Sequence, residues 1–558
     1  MDNQGQFTGN IVDIHRKRIF FGQVCWQQGI ITKIRKQGPE RPDQAFLMPG
    51  WIDAHVHIES SMLTPAEFGR IACRHGTVAS VSDPHEIANV LGIEGIDFMA
   101  KDGRRSPFRI FWGAPSCVPA TAFETAGATL DAAELEQLFS TGTTGYLSEV
   151  MNFPGVLANS ADIEQKLAVA RRHQVPVDGH APGLTGEAAA RYAAAGISTD
   201  HECATLEEAQ DKLKAGMSIL IREGSAARNF DALHPLISEW PDRVMFCSDD
   251  KHPDDLLEGH INRLITRALA LGHELFTVLR CASLNPVRHY RLPVGLLRVG
   301  DAMDAVAVED LQSFRVLATW IGGQQVAAEG KSLLPHLPNT RINRFAARPI
   351  TPEDLARPAP PGVESPQIRV IQALDGELLT PAVIRDARVE QGQLVPDTQR
   401  DLLLLVVVNR YRQAPPAVAF IEGFGLKRGA LASSVAHDSH NIIAVGTSAA
   451  QVCAAVNAVI NSGGGIAVAH EETQSVLPLP VAGLMSDRDG DAVGRDYLVL
   501  TRQAHELGSP LLAPFMTLSF MALLVIPELK LSDLGLFDGQ RFEFVDLLVD
   551  DETPPEAP

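Results

Sequence analysis

The chain contains 558 residues, of which 45% are hydrophobic and 21% are charged, and its formal net charge at pH 7 is −20. This length predicts two or three domains, and the composition is that of a soluble globular protein. Because nucleic acids and anionic membranes bind concentrated basic surfaces, we expect neither to be a partner of this acidic chain.

The sequence carries no targeting or membrane-spanning signal. No apolar run approaches the roughly 20 residues that cross a bilayer, and the first residues, MDNQGQ, lack the basic and apolar regions of a signal peptide. We therefore expect a cytoplasmic location. The seven cysteines are scattered and include no Cys-x-x-Cys pair, so neither a disulfide framework nor a zinc ribbon is predicted.

Two segments with a similar β-rich pattern flank the middle of the chain. Short apolar runs separated by glycine and charged turns occupy residues 8–36, and the pattern returns after residue 292. A sheet as small as the first segment is not stable by itself. We therefore predict one composite β-sandwich domain that is assembled from residues 1–46 and 291–345.

The intervening residues, 47–290, alternate between short apolar strands and helical stretches. Eight strands are predicted, at residues 46–57, 77–83, 109–112, 145–150, 175–178, 196–199, 217–221 and 243–247. Helices are predicted between most of them, at 132–139, 163–173, 185–195, 206–215 and 256–271. This alternation predicts a (β/α)8 TIM-like barrel of the α/β class, whose functional residues lie at the C-terminal ends of the strands.

Histidines and acidic residues stand at the ends of several of these strands. His55 and His57 are two residues apart, so both side chains point to one face of the first strand. The later strand ends carry Glu149, His180, His201 and Asp249. Each residue alone is better explained as a cap or a polar core group. Together, four imidazoles and two carboxylates at one barrel mouth form the ligand set of two divalent ions that share a carboxylate and a hydroxide.

Seven longer motifs extend this pattern through nearly the whole chain. They are PGWIDAHVHIESSMLTP (49–65), DPHEIANVLG (83–92), SEVMNFPG (148–155), DGHAPGLTG (178–186), IREGSAARN (221–229), SDDKHPDDLLEG (248–259) and ASSVAHDSHN (432–441). These motifs closely resemble the bacterial adenine deaminase family of the amidohydrolase superfamily. The resemblance implies hydrolysis of adenine to hypoxanthine and ammonia, as in purine salvage, by a metal-bridged hydroxide that attacks C6 of the ring.

Such a reaction needs groups that move protons. Asp249, as a metal ligand next to the hydroxide, is predicted to carry the proton from the nucleophile to the leaving amine. A carboxylic acid with a raised pKa is the expected proton donor to the purine ring. Glu86, Glu202 and Glu223 are the candidates, and the sequence does not rank them.

Four further residues are predicted to contact or support the substrate. Arg222 and Ser225 are expected to orient the purine, and Asp83 and His85, at the end of the second strand, are expected to assist. The alternative for each residue is that it supports a metal ligand and does not touch the substrate.

The acid at position 149 separates the main interpretation from its alternatives. Many binuclear relatives bridge their metals with a carbamoylated lysine on the fourth strand, where this chain has Glu149. This difference disfavours a cyclic-amide hydrolase of the dihydroorotase or hydantoinase type, and the complete ligand set disfavours a non-catalytic scaffold. Carboxylate and imidazole ligands suit manganese, iron or zinc, and the resemblance favours two manganese or iron ions per chain. Adenine is the expected small-molecule partner, and a homodimer is the expected assembly.

The pattern changes in the last part of the chain. Residues 346–366 are rich in proline and are predicted to be a linker. The residues that follow predict a buried strand at 402–408 and a helix at 449–461. The resemblance implies that residues 367–558 form a C-terminal α+β domain of this kind. His437 and His440 are predicted either to lean over the barrel mouth, where they could hold an extra ion, or to belong to a capped polar loop. The last residues, 550–558, are predicted to be frayed.

Overall fold

The computed structural model, which describes residues 3–549, contains a parallel barrel and two eight-stranded sheets. The first twelve strands are β1 (Gly5–Asp13), β2 (Arg18–Gln27), β3 (Ile30–Gly38), β4 (Phe46–Pro49), β5 (Trp51–Val56), β6 (Thr77–Ser82), β7 (Arg109–Ala114), β8 (Tyr146–Val150), β9 (Val177–Gly179), β10 (Thr199–Asp200), β11 (Ser218–Arg222) and β12 (Val244–Cys247). The later strands are β13 (Ala305–Val308), β14 (Val316–Ile321), β15 (Gln324–Ala328), β16 (Lys331–Ser332), β17 (Gln367–Gln372), β18 (Ala382–Asp386), β19 (Arg388–Glu390), β20 (Gln393–Val395), β21 (Leu403–Val408), β22 (Ala417–Glu422), β23 (Ala430–Ser433), β24 (Ile442–Gly446), β25 (Gly465–His470), β26 (Thr473–Pro478), β27 (Leu529–Ser532), β28 (Gly535–Asp538) and β29 (Glu543–Phe544). The predicted fraying of residues 550–558 lies outside the described residues.

Most helices connect the barrel strands. The α-helices are α1 (Pro65–Ala72), α2 (His85–Leu91), α3 (Ile93–Gly103), α4 (Ala132–Ser140), α5 (Phe153–Leu157), α6 (Ala161–His173), α7 (Gly186–Ala194), α8 (Leu206–Lys214), α9 (Phe230–Leu233), α10 (Leu236–Glu239), α11 (Pro253–Glu258), α12 (Ile261–Ala270), α13 (Leu275–Leu279), α14 (Asn285–Tyr290), α15 (Ala449–Asn461), α16 (Gly490–Glu506) and α17 (Pro514–Phe520). Short 3₁₀ turns occupy Ile58–Ser61, Cys73–His75 and Pro352–Leu355, and a π turn occupies Arg280–Leu284. Within residues 3–549, no helix is long and apolar enough to cross a bilayer.

Strands β5 to β12 form the predicted barrel. Strands β5 to β9 make one parallel sheet and β10 to β12 make another. The backbone N–H of Ser198 donates to the carbonyl of Val177 (2.9 Å) and joins the two sheets at one side. At the other side the N–H of Asp249 donates to the carbonyl of His55 (2.9 Å), and the N–H of His57 donates to Asp249 (3.4 Å). The eight strands therefore form a closed ring, and the (β/α)8 fold is confirmed.

The strand predicted at 46–57 is wrong in its extent, because it is broken at Gly50. Its first half, β4, pairs with β1 and β13 of the outer sheet, whereas its second half, β5, pairs with β6 of the barrel. The chain passes between the two sheets at a point without room for a side chain. A Cβ atom at residue 50 would lie 2.2 Å from Cγ1 of Val78.

The helix predicted at 256–271 is also wrong, because it is two helices, α11 and α12. Gly259 between them is extended, with φ 166° and ψ 166°. The imidazole of the next residue, His260, points inward and lies 2.8 Å from both the Asp53 carboxylate and the Thr77 hydroxyl. These two buried hydrogen bonds turn the backbone and separate the helices.

The flanking segments share one curled sheet. Its strand order is β16-β15-β14-β13-β4-β1-β2-β3, so the N-terminal strands and the strands after the barrel are continuous. The indole N–H of Trp26 donates to the carbonyl of Gly323 (3.1 Å), and the rings of Trp26 and Trp320 are 6.1 Å apart. These contacts join strands that are far apart in the strand order. The predicted sandwich is thus one sheet folded over a small core. Its N-terminal segment ends at Pro49, the last residue of β4.

The C-terminal part contains a second eight-stranded sheet. Its order is β18-β17-β22-β21-β24-β23-β25-β26, and every residue of β21 is buried. Helix α15 begins at the Ser448 cap and buries Val452, Val456 and Val459 against this sheet. The predicted helix at 449–461 and the predicted strand at 402–408 match α15 and β21 to within one residue.

The segment predicted as a linker packs onto this second sheet. Ile350 and Leu355 are buried in the core of the C-terminal part. The Asn457 side chain accepts a hydrogen bond from the N–H of Ile350 and donates one to its carbonyl, both at 2.9 Å. The linker prediction is therefore wrong for these residues, because their few apolar side chains are enough to anchor a proline-rich stretch.

We expect Gly50→Ala to lower the melting temperature of the protein. The new methyl group would overlap Val78, which is fully buried and branched at Cβ and so cannot move aside. Overpacking of this kind costs about 1–3 kcal/mol. The matched control is Gly38→Ala, whose Cβ atom would meet nothing within 4 Å. Thermal denaturation followed by circular dichroism tests the difference, and equal melting temperatures for the two variants would contradict it.

Candidate metal centre

The six predicted ligands meet at the C-terminal mouth of the barrel. Each is at most 8% exposed, and they are His55, His57, Glu149, His180, His201 and Asp249. They belong to five different strands or strand ends, so only ring closure brings them together. The first group forms around the first strand. The Nε2 atoms of His55 and His57 are 3.2 Å apart, and Oδ1 of Asp249 lies 3.6 Å and 3.2 Å from them, respectively.

Glu149 connects this group to a second one. Its Oε1 atom lies 3.4 Å from Nε2 of His57. Its Oε2 atom lies 2.9 Å from Nδ1 of His180 and 3.0 Å from Nε2 of His201. One carboxylate thus faces both groups of histidines, as a bridging ligand must.

The donor atoms fit divalent ions. A tetrahedral ion with metal–nitrogen distances of about 2.1 Å separates its ligand atoms by about 3.4 Å, which is the range observed here. Groups of three or four such donors lie within 4.8 Å of one another, among them His55 with Glu149 and His201. Among residues 3–549, Nδ1 of His55 and Nε2 of His180 have no hydrogen-bond partner although both are buried.

The electrostatics of the mouth also favour a cation. Burial lowers the pKa of His180, but the charges of Glu202 and Glu149 outweigh burial and raise it to about 9. A site that holds a proton on a fully buried imidazole has a strongly negative potential, and this potential attracts metal ions.

Asp249 is held by both its backbone and its side chain. Its φ of +53° is in the left-handed region, which a non-glycine residue occupies only when its surroundings impose it. Its Oδ2 atom accepts a hydrogen bond from Arg222 (2.7 Å). Burial raises the pKa of Asp249, but the Arg222 guanidinium and nearby histidines hold it well below its usual range. Asp249 is therefore ionised and points one oxygen at the histidines.

Arg222 is fully engaged with carboxylates. Its guanidinium contacts both oxygens of Glu202, with Nη2 to Oε2 at 2.9 Å, as well as Asp249. Arg222 and Glu202 both line the central cavity. The guanidinium thus holds two acids in place, and one of them, Asp249, is a predicted metal ligand.

Glu86 forms a second polar group above the metal ligands. Nδ1 of His437 lies 2.6 Å from one of its oxygens, and His440 contacts the other. Burial raises the pKa of Glu86, but the charges of His437, His440 and His85 hold it well below its usual range. The C-terminal histidine pair therefore leans over the barrel mouth, which is the first of the two predicted alternatives.

Asp83 and His85 lie beside Glu149. Nδ1 of His85 is 3.0 Å from Oδ2 of Asp83 and 3.2 Å from Oε1 of Glu149. The carbonyl of Asp83 is 3.1 Å from Nδ1 of His57 and fixes the orientation of that ring. Both residues thus support the ligands, and His85 also lines the cavity.

Glu223 and Ser225 are not part of the mouth, contrary to the prediction. Glu223 pairs with Arg267 at 2.9 Å, and the Ser225 hydroxyl donates to Asp255 at 2.6 Å. Both side chains point outward because they follow the last residue of β11, where the chain turns away from the barrel axis. Neither lines the central cavity.

The sequence did not identify several residues of the cavity. Asp250 and Asp438 are adjacent to predicted residues, and their presence in two of the family motifs was an available signal. Leu378, Phe520 and Leu523 come from the C-terminal part and cover the site from above. No local pattern distinguishes these three from ordinary core residues.

Lys530 anchors this apolar cover. It is fully buried on β27, and its ammonium donates to the carbonyls of Leu378 (2.8 Å) and Phe520 (3.1 Å). Burial lowers its pKa to about 7. One buried amine therefore holds together the two segments that close the cavity.

Lys212 has a comparable role beneath the second ligand group. It is fully buried and lies 3.0 Å from Asp200 and 2.9 Å from Glu208. It also donates to the carbonyl of Ala181 (2.6 Å), while Asp200 accepts from the N–H groups of Ala181 (2.9 Å) and Glu202 (2.8 Å). This network ties together the strand ends that carry His180 and His201.

Comparison with known proteins defines the class first. A barrel with this ligand set is an amidohydrolase, and the model of the amidohydrolase family matches residues 46–326. The model of the adenine deaminase C-terminal domain matches residues 377–543. The chain belongs to the adenine deaminase family, as its motifs predicted.

Individual relatives match along nearly the whole chain. An adenine deaminase from Salinibacter ruber is 54% identical over 545 residues, which cover 97% of this chain and 99% of that protein. One from Methanosarcina mazei is 49% identical and covers 98% and 100%, respectively. Among solved structures, N-acetyl-D-glucosamine-6-phosphate deacetylase from Mycobacterium smegmatis matches with a TM-score of 0.44 at 16% identity, covering 58% of this chain and 99% of that one.

We expect Lys212→Met to destabilise the protein by about 3–5 kcal/mol, because it leaves the buried carboxylates of Asp200 and Glu208 without a cation. The matched control is Lys214→Met on the same helix, where the side chain is 64% exposed. Differential scanning fluorimetry measures both. A melting temperature for Lys212→Met equal to that of the control would refute the role of this network.

Lys530 predicts a pH dependence of stability. Its pKa of about 7 in the folded chain is below the unfolded value of about 10.4. The unfolded state therefore binds more protons between these values, and stability rises with pH across this window by up to about 1.4 kcal/mol per pH unit. Between pH 7 and pH 10, we expect the melting temperature of Lys530→Met to rise less with pH than that of the unmodified protein, because the contribution of Lys530 is lost. A variant with the pH dependence of the unmodified protein would contradict this assignment.

Proposed function

We propose that the chain hydrolyses adenine to hypoxanthine and ammonia. The similarity to adenine deaminases over nearly the full length supports this activity, because it includes the barrel and the C-terminal domain alike. The structural observation that carries the proposal is the Glu149 carboxylate, which lies within 3.4 Å of histidines in both ligand groups.

Two divalent ions are the cofactors of this proposal. His55, His57 and Asp249 would hold one ion, His180 and His201 the other, and Glu149 would lie between them. When bound, the ions would polarise the substrate and lower the pKa of a water molecule towards neutrality, and the deprotonated water would be the nucleophile for C6. The nitrogen and oxygen donors suit manganese or iron, which we favour, and they also accept zinc.

Asp249 is the proposed proton carrier. It is ionised, one oxygen is held by Arg222, and the other faces the histidines. A carboxylate in this position accepts the proton of the attacking water and gives it to the departing amine. Arg222 keeps the carboxylate in one orientation and is best described as a positioning residue.

The Glu86–His437 pair is the favoured proton donor to the purine ring, and its proton lies on His437. Nearby histidines hold the pKa of Glu86 well below its usual range, contrary to the expected carboxylic acid with a raised pKa. Burial lowers the pKa of His437, but the charges of Glu86 and Asp250 raise it to about 9.

Of the three predicted candidates, Glu223 points away from the cavity and Glu202 is neutralised by Arg222. Glu86 lines the cavity and shares a short hydrogen bond with His437, which provides a proton beside the space above the ligands. The Glu86–His437 pair can therefore deliver one proton to a ring nitrogen.

The alternatives from the sequence are less well supported. The relatives named as adenine deaminases favour deamination over hydrolysis of a cyclic amide, and the intact ligand set favours an enzyme over a scaffold. The homodimer, the cytoplasmic location and the place in purine salvage stay predictions from the sequence.

We expect the manganese-loaded protein to convert adenine to hypoxanthine, followed by the change in ultraviolet absorbance and by ammonia release. Glu149→Gln should bind at most one ion per chain, because an amide is a poor bridge between two cations. Its kcat should fall about 100-fold or more, which corresponds to about 2.7 kcal/mol of transition-state stabilisation. The matched control is Glu164→Gln on the exposed side of α6.

Two results would overturn the proposal. Full activity and two metal ions in Glu149→Gln would exclude the bridging role. Turnover of dihydropyrimidines without turnover of adenine, by a protein that holds two ions, would replace the deaminase with a cyclic-amide hydrolase.

A further inference from the structure

A second polar cavity lies outside the barrel mouth. It has a volume of about 220 Å³ and lies between the segments that follow β11 and β12 and the start of α12. Four cationic side chains line it, together with two carboxylates; these are Arg228, Lys251, Arg263, Arg267, Glu223 and Asp255. Two of the arginines also pair with carboxylates outside the lining, Arg263 with Glu258 at 3.0 Å and Arg267 with Asp231 at 2.5 Å.

Lys251 distinguishes this cavity from an ordinary network of ion pairs. Lys251 is only 8% exposed. Within residues 3–549 it makes no hydrogen bond and no ion pair shorter than 4.0 Å, whereas nearby Arg267 pairs with Glu223 at 2.9 Å. A buried charge without a partner is unfavourable, so an anion in the cavity would stabilise the folded protein.

The carboxylates of the cavity are already engaged. Glu223 contacts Arg267, and Asp255 accepts a hydrogen bond from the hydroxyl of Ser225 at 2.6 Å. Asp255 lies 3.7 Å from Arg228. The two acids thus pair with the arginines at the edges of the cavity, and the ammonium of Lys251 has no partner of its own within 4.0 Å among the described residues. Burial lowers the pKa of Lys251, and the more distant charges of Asp255 and Asp53 offset this only in part.

The backbone adds to the positive potential. Helix α12 has ten residues, and His260 and Arg263 at its start line the cavity. The N–H groups of these two residues already donate to the Asn262 side chain and to the His260 carbonyl, so the helix contributes the partial positive charge of its N-terminus. Strands β11 and β12 are the seventh and eighth strands of the barrel, and the region after these strands is a recurrent place for phosphate in TIM barrels.

We propose that this cavity binds a phosphate group, either as inorganic phosphate or as the phosphate of a phosphomonoester. The ligand oxygens would accept hydrogen bonds from Lys251 and from Arg263, whose guanidinium offers several donors. The site is separate from the metal ligands, and it does not depend on the proposed reaction with adenine.

The test is a titration of the metal-loaded protein with inorganic phosphate by isothermal titration calorimetry, with sodium chloride of equal ionic strength as the reference. We expect one saturable site per chain. Lys251→Met should weaken binding about tenfold or more, because a charge-assisted hydrogen bond is lost. Lys36→Met removes an exposed cation far from the cavity and should bind phosphate as the unmodified protein does.

Further variants separate this site from the metal centre and from misfolding. Glu149→Gln should retain the phosphate site, and loss of binding in this variant would place phosphate on the metal ions and overturn the proposal. If Lys251→Met does not fold, the double variant Arg228→Gln/Arg263→Gln, which changes partly exposed side chains, should show the same loss. Absence of saturable binding in the unmodified protein, or normal binding in a folded cavity variant, would also overturn it.

A second titration identifies the source of the phosphate group. A nucleoside 5′-monophosphate that binds more tightly than inorganic phosphate, and loses affinity in the same variants, identifies a phosphomonoester ligand. Equal or weaker binding of the monophosphate, with the same effect of the variants, identifies free phosphate.

Discussion

The site depends on the contact that closes the barrel. The backbone of Asp249 pairs with His55 and His57, so the last strand end meets the first strand and three ligands come together. Asp53 reinforces this contact, because its carboxylate accepts from the N–H of Ser248 (2.9 Å) and lies 2.8 Å from His260. A weaker closure would separate the ligand groups even if each strand remained folded.

The C-terminal part completes a site that the barrel leaves open. His437 reaches Glu86 from above, and Phe520 stacks on the His437 ring at 4.6 Å between ring centroids. Lys530 holds the carbonyls of the covering segments. The barrel thus contributes the six predicted metal ligands, and the C-terminal part contributes His437 and an apolar cover above them. Charges interact more strongly in such a buried setting than in water.

Sequence patterns were most informative where metal-binding residue types stand at the ends of predicted strands. The spacing of His55 and His57 and the strand ends at Glu149, His180, His201 and Asp249 predicted a ligand set that the structure brings together. The same approach failed for Glu223 and Ser225, because residues just beyond a strand end can point either to the barrel axis or away from it, and periodicity does not decide this.

The sequence by itself determined the family and the (β/α)8 fold, and it indicated the six side chains that converge at the barrel mouth, because these follow from alternating strands and from residue types at strand ends. Only the tertiary structure decided the rest. The break at Gly50, the packing of the supposed linker, the apolar cover around Phe520 and the unpaired charge of Lys251 all arise from contacts between distant segments. Such contacts depend on which distant segments of the chain meet in the folded structure, and no local sequence pattern predicts them.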